Sequence, residues 1–243
     1  MRGLSGSGLT GPEPRTSGQP DAAGLMPLRW LSPSGTKGRL TTFIFHRVLD
    51  RPDPLRSSEP DAARFEQIVR FIGRHFNVMA LPDAAAALAR GHLPAAAACI
   101  TFDDGYADNL AVAAPILRRY GVTATVFVST AFSRGGRMWN DSVIEAVRAL
   151  PNGEVDWREF GLGVAAVADD RSRCALIAAA LPTLKYRPLT ERAAVAAEIA
   201  RRAGVKTMAD PMMTPEQLRA WRDLGFDVGG HTVGHPILAR LAD

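Results

Sequence analysis

Cysteine is scarce. The 243 residues hold two, Cys99 and Cys174, neither within CxxC reach of another, so no disulfide framework and no cysteine-based metal site is expected. A single bridge between them stays open, and composition leaves the redox compartment unassigned. Aromatic residues make up only 7% of the chain. The arginines fall singly or in pairs (Arg118-Arg119, Arg201-Arg202). Single-stranded nucleic acid needs stacking partners along a basic groove, so no nucleic-acid partner is expected. The net charge of +4 comes from 29 basic against 25 acidic residues and forms no stripe. No apolar run approaches the ~18 residues that cross a bilayer, so no transmembrane segment is expected. No self-similarity appears at a period of roughly 20–50 residues, which excludes a solenoid or propeller. With 47% apolar and 22% charged residues, the composition is that of a folded globular chain.

The first 40 residues are rich in Gly, Ser and Pro and show no apolar period. They also lack the charged-then-apolar order of a signal peptide. Residues 1–40 are therefore expected to form a flexible arm, or an upstream extension with Met26 as the true start. From Thr41 strands alternate with helices. Strands are predicted at Thr41-Phe45, Asn77-Ala80, Ala97-Phe102, Thr123-Ser129 and Phe226-Val228. Phe65, Ile68, Val69, Ile72 and Phe76 make one apolar stripe and predict a helix over Asp61-Phe76. Further helices are expected at Pro82-Ala89, stopped by Gly91, and at Asn109-Tyr120, kinked at Pro115 and closed by Gly121. Asp141-Gly204 reads as helical apart from an irregular stretch near Pro151-Gly163. Thr214-Pro215-Glu216-Gln217 reads as a capping box opening one more helix. Strands separated by helices predict an α/β fold with a parallel sheet, doubly wound or closed into a barrel. About five strands are predicted, against the roughly eight of a full (β/α) barrel.

Two clusters carry chemistry. The first, Thr101-Phe102-Asp103-Asp104-Gly105-Tyr106, follows an apolar strand. Adjacent carboxylates repel, and one pKa rises. A bound cation removes that cost by engaging one carboxylate and leaving the other as a base. The plain alternative is a polar turn in which Asp caps the next helix. The second cluster, Gly229-Gly230-His231-Thr232-Val233-Gly234-His235-Pro236, also follows a strand. Histidines four apart lie on one face of a helical turn, where both imidazoles reach one metal. Together the clusters offer a mixed nitrogen and oxygen set suited to zinc or another first-row metal acting on water.

TFDDG followed downstream by HTVGHP resembles the polysaccharide deacetylases with the NodB-homology domain, carbohydrate esterase family four. FHRVLDRPDP, ILRRYGVTATVFVST and GRMWNDSVIEAVR are similar to a bacterial subgroup associated with exported-polysaccharide gene clusters. The resemblance covers roughly Thr41 to the C-terminus. It implies a NodB-type (β/α) barrel, incomplete at its C-terminal end, spanning 41–243 with a helical insertion at about 141–204. It further implies Asp103 as catalytic base and Asp104, His231 and His235 as ligands of a divalent metal, zinc first and cobalt second. His46 resembles a pocket-lining motif of the family and is expected to contact substrate. The implied substrate is an N-acetylated amino-sugar polymer or oligosaccharide, deacetylated by a hydrolase acting on carbon–nitrogen bonds other than peptide bonds.

Two rival readings stay open: an amidase of the same fold acting on a small non-peptide amide, and an inactive fragment that binds metal or glycan without turnover. The resemblance leans towards the cell envelope or exterior, with the cytoplasm still open. Trp139, Asn140 and Asp141 read either as sugar contacts or as a helix start capped by Asn140 or Asp141. His75 and His92 are assigned no role, and Cys99 is assigned to packing.

Overall fold

The apolar runs and helical stripes resolve into a mostly parallel α/β arrangement in the computed structural model, which describes residues 30–205 and 211–241. Strand β3 (Ala97–Phe102, AACITF) is buried along its whole length, as a central strand covered on both faces must be. On one side it pairs in parallel with β1 (Thr41–Phe45), Phe45 abreast of Phe102. Its first two residues pair with β2 (Asn77–Val78), and Thr101 and Phe102 pair with β4 (Thr125–Val128). Strand β7 (Asp227–Gly230) extends the sheet beyond β4. The fold class expected from the sequence is therefore present. No pairing among the described residues joins β1 to β7, so the sheet is open; the expectation was a barrel incomplete at its C-terminal end.

Helix α1 (Ala62–His75) starts where Asp61 accepts a hydrogen bond from the Arg64 N–H. It buries Phe65, Val69 and Ile72 against Ile100, Phe102 and Val126 of the sheet. Helix α2 (Leu81–Ala89) carries Pro82 in its first turn and ends before Gly91, which takes φ +67°. The segment after β3 departs from a plain kinked helix. Asn109–Ala113 forms a π turn, with the Ala114 N–H donating five residues back to Asn109 C=O, and continues into α3 (Ala114–Arg119). Pro115 has no N–H for an ordinary helical bond, and the wider turn absorbs that loss.

Helix α4 (Trp139–Ala149), α5 (Asp170–Lys185) and α6 (Leu189–Arg202) build a second core around Val143, Val147, Leu176, Ala180, Leu184 and Ile199. The stretch expected to be irregular near Pro151-Gly163 is an antiparallel hairpin, β5 (Gly153–Asp156) with β6 (Val164–Val167), whose second strand extends into residues expected to be helical. It folds Trp157 and Phe160 into that second core. Helix α7 (Pro215–Asp223) opens on the expected capping box, Thr214 with Gln217, and buries Trp221 against Phe226 before β7.

Of the arm expected over 1–40, residues 1–29 lie outside the described residues, as does the Met26 start. From Ser32 onward the chain docks on the approach to β3: Gly35 N–H donates to Leu93 C=O at 2.8 Å, and Ala96 N–H to Ser32 C=O at 2.8 Å. Both cysteines are free, and Cys99 is buried in β3 as expected. No helix among the described residues is long and apolar enough to cross a membrane.

Candidate metal centre

Parallel pairing puts the C-terminal ends of β1, β3, β4 and β7 along one rim, where open α/β sheets present their ligands. His46 follows β1, Asp103 and Asp104 follow β3, Ser129 follows β4 and His231 follows β7. Asp103 N–H donates to Phe45 C=O at 2.8 Å, which sets His46 and Asp103 side by side on the rim.

Asp104 is 4% exposed and holds a left-handed backbone at φ +76°. Such a conformation is costly for a residue with a Cβ and persists where the surroundings over-determine it. Gly105 continues the turn at φ +89°, and a Cβ there would stand 3.2 Å from Val128 Cγ1. Oδ1 of Asp104 is buried with no hydrogen-bond donor. Facing it are Nε2 of His231 at 3.6 Å and Nε2 of His235 at 3.5 Å. One ligand atom from each of the three residues lies within 4.8 Å of the others. Burial pushes the Asp104 carboxyl up, against the pull of His235, His46 and His231, while the Asp103 charge adds to the rise. Burial likewise pushes the His235 imidazole down.

The histidines meet by a different route from the one their spacing suggests. Residues 231–237 are not helical. Thr232 and His235 take φ +63° and +53°, the His235 N–H donates to Thr232 Oγ1 at 3.1 Å, and the two rings lie 5.0 Å apart. Gly229 is needed just before this turn, because a Cβ would fall 2.5 Å from the Phe127 ring.

The donor set fits a divalent cation. Two donors each about 2.1 Å from one tetrahedral zinc stand about 3.4 Å apart, close to the spacings found here. An unpaired, buried carboxylate oxygen aimed between two imidazoles is what a cation would satisfy. Asp104, His231 and His235 are thus brought together. Asp103 stands beside them, half-buried.

A cavity of about 510 Å³ opens on this cluster, lined in part by His46, Asp104, His235, Trp139 and Asn140. Trp139 and Asn140 therefore reach the site. Neither Asn140 nor Asp141 caps α4: the helix begins at Trp139 after Met138. Asp141 instead turns inward, accepting from Tyr106 Oη at 2.9 Å and pairing with Arg56 at 2.8 Å. Arg47 lies over the Tyr106 ring and binds Asp108 at 2.8 Å. Asn109, fully buried in the π turn, donates from Nδ2 to His46 C=O at 3.0 Å. The sequence reading missed Arg192, which lines the same cavity and donates to His235 C=O at 3.2 Å. Its signal was its place on the buried stripe of α6, with Ala196 and Ile199.

Residues 90–150 match the polysaccharide deacetylase family model. The resemblance read from the motifs is borne out over this segment, which carries Asp103 and Asp104 and runs from the approach to β3 to the end of α4. No curated protein matches the chain. Among solved structures, the Streptococcus pyogenes deacetylase PplD in complex with acetate is similar at 17% identity and TM-score 0.47, over 84% of this chain and 60% of that one. IcaB from Ammonifex degensii is similar at 20% identity and TM-score 0.34, over 84% of this chain and 88% of that one. The BpsB deacetylase domain from Bordetella bronchiseptica is similar at 17% identity and TM-score 0.38, over 79% and 54%. The chain thus spans about 60% of the length of the PplD structure.

Proposed function

We propose that the chain is a metal-dependent hydrolase that removes N-acetyl groups from an amino-sugar polysaccharide. The observation that carries this reading is the buried, donor-less Oδ1 of Asp104 set 3.5 and 3.6 Å from the two imidazoles, with a second carboxylate next to it in the chain. The family match over residues 90–150 supports the class of substrate.

Asp104, His231 and His235 hold the divalent ion, with zinc the first choice for this donor set and cobalt the second. When bound, the ion supplies a Lewis acid beside the acetamide carbonyl. Asp103, half-buried and outside the ligand triad, takes the proton from the water that attacks the acetamide carbon; the C–N bond then breaks, acetate leaves, and the proton passes to the sugar amine. His46 and Trp139 line the cavity in which the sugar sits, His46 held from behind by Asn109.

The test is acetate release from chito-oligosaccharides by the zinc- or cobalt-loaded chain. Release that stops on chelation and returns with metal supports the reading; release that ignores chelation removes it.

A further inference from the structure

The cavity at the metal centre has a neighbour. A second cavity of about 310 Å³ shares Lys185, Tyr186, Arg192 and Ile237 with the first, so the two are contiguous. Both fall in the size range of small-molecule sites. Among the described residues, every charged one lining the outer cavity is a cation: Lys185, Arg187, Arg192 and Arg240. Of these, Arg187 is paired with a carboxylate, Glu191 at 2.9 Å. Lys185 and Arg240 flank the exposed Tyr186 ring, at 5.9 and 4.6 Å from its centre.

Arg192 is the least expected of the four. It is 4% exposed, and its guanidinium donates to Lys185 C=O at 3.1 Å and His235 C=O at 3.2 Å while lying over the Trp139 ring. No carboxylate among the described residues pairs with it, its guanidinium meeting only the two carbonyls and the Trp139 ring. An arginine has five N–H donors in a planar fork, so donors remain for a ligand. A buried cation without a counter-ion is destabilising until an anion arrives.

We propose that this cavity binds the acidic group of an anionic glycan, so that the chain acts on an N-acetylated saccharide carrying a carboxylate or phosphate beside the acetamido sugar. The substrate assignment rests on the deacetylase reading; the anion site rests on the cations alone. Tyr186 and Trp139 line the way between the two cavities, and the shared wall leads from the acidic group to Asp104 and His235. A nucleic acid would need a basic stripe, whereas these cations surround one open-mouthed cavity beside the metal centre.

The experiment uses the full zinc-loaded chain and three probes. These are a tetrasaccharide of alternating glucuronate and N-acetylglucosamine, a phosphate-bearing chitotetraose, and neutral chitotetraose. Binding is read by tryptophan fluorescence and turnover by acetate release. At least one acidic probe is expected to bind about ten-fold tighter than the neutral one, and which of the two does so names the acidic group. That advantage should shrink between about 50 and 500 mM salt. Lys185→Gln with Arg240→Gln, and Arg240→Gln alone as the milder variant, should weaken the acid-over-neutral preference at unchanged melting temperature, Arg192 supplying what is left. Equal affinity for all three probes overturns the proposal, as does a preference that neither variant reduces. Acid-selective binding without acetate release from any probe upholds the site and overturns the deacetylase reading. Acetate release without acid selectivity does the reverse.

Discussion

Asp104 and His235 meet across the rim of the sheet with Oδ1 and Nε2 3.5 Å apart, and both hold left-handed backbone, at φ +76° and +53°. Neither is glycine, so each conformation works against the residue's own preference. The strain on both sides of one short contact is what aims a carboxylate and an imidazole at a common point.

If that point holds a metal, His231→Ala should abolish stoichiometric zinc or cobalt binding. His75→Ala should leave it intact, because His75 stacks on Phe71 in helix α1 and is not among the three clustered ligands. Metal analysis of the purified variants checks this; equal metal in both would remove the centre.

Asp103→Asn should keep the metal and lose the rate. A placed general base contributes roughly 10²–10⁴-fold. Acetate release should fall by that order without recovery on added zinc. A variant that retains most of its rate would take the base role away from Asp103.

Gly105→Ala should destabilise the fold by about 1–3 kcal/mol, because it adds both left-handed strain and overpacking. The new Cβ would stand 3.2 and 3.3 Å from the two Val128 methyl groups, at φ +89°. Denaturant unfolding measures the loss, and an unchanged midpoint would contradict it.

Asp141→Ala should cost about 1–3 kcal/mol, because Tyr106 Oη loses its buried acceptor while Arg56 keeps Glu145 at 3.2 Å. Arg56, 9% exposed, would lose the carboxylate 2.8 Å away, and Tyr106 would lose its acceptor. Urea melts of the variant test this, with a loss below about 1 kcal/mol counting against the network.

A thiol reagent at about pH 8 should modify one cysteine in the native chain and two in denaturant. Cys99 is fully buried, and burial pushes its thiol up to about 11, whereas Cys174 is half-buried. Two fast-reacting thiols in the folded chain would mean that β3 is not the covered centre of the sheet.

Strand β3 was legible because AACITF is apolar at nearly every position, the mark of a strand covered on both faces. The caps at Asp61 and Thr214 were legible because their chemistry is local. The β5–β6 hairpin was not. Gly153–Asp156 is largely exposed and polar, and the two strands are joined through a 3-10 turn at Arg158–Phe160 in place of a tight Asn-Gly or Asp-Gly turn. The histidine pair was found from its spacing, although a helical turn was the expected cause and left-handed residues are the observed one. The buried stripe of α6 marks Arg192 as facing inward, and Trp139 was read as a candidate sugar contact, but that the two meet at the site follows only from the packing of α6 on α4.

The three residues after β4 touch both halves of the centre. Ser129 N–H donates to Asp104 C=O and Ser129 Oγ to His231 C=O; the Thr130 and Ala131 N–H groups donate to Thr232 and Val233 C=O. One short stretch of main chain is thereby a common ruler for the carboxylate loop and the imidazole loop. Of these four bonds one holds the carboxylate loop and three hold the imidazole loop, and Ser129 is the residue that touches both. The Thr130 and Ala131 amides therefore report on the imidazole loop and the Ser129 amide on the carboxylate loop, so this short stretch reads both halves of the centre separately.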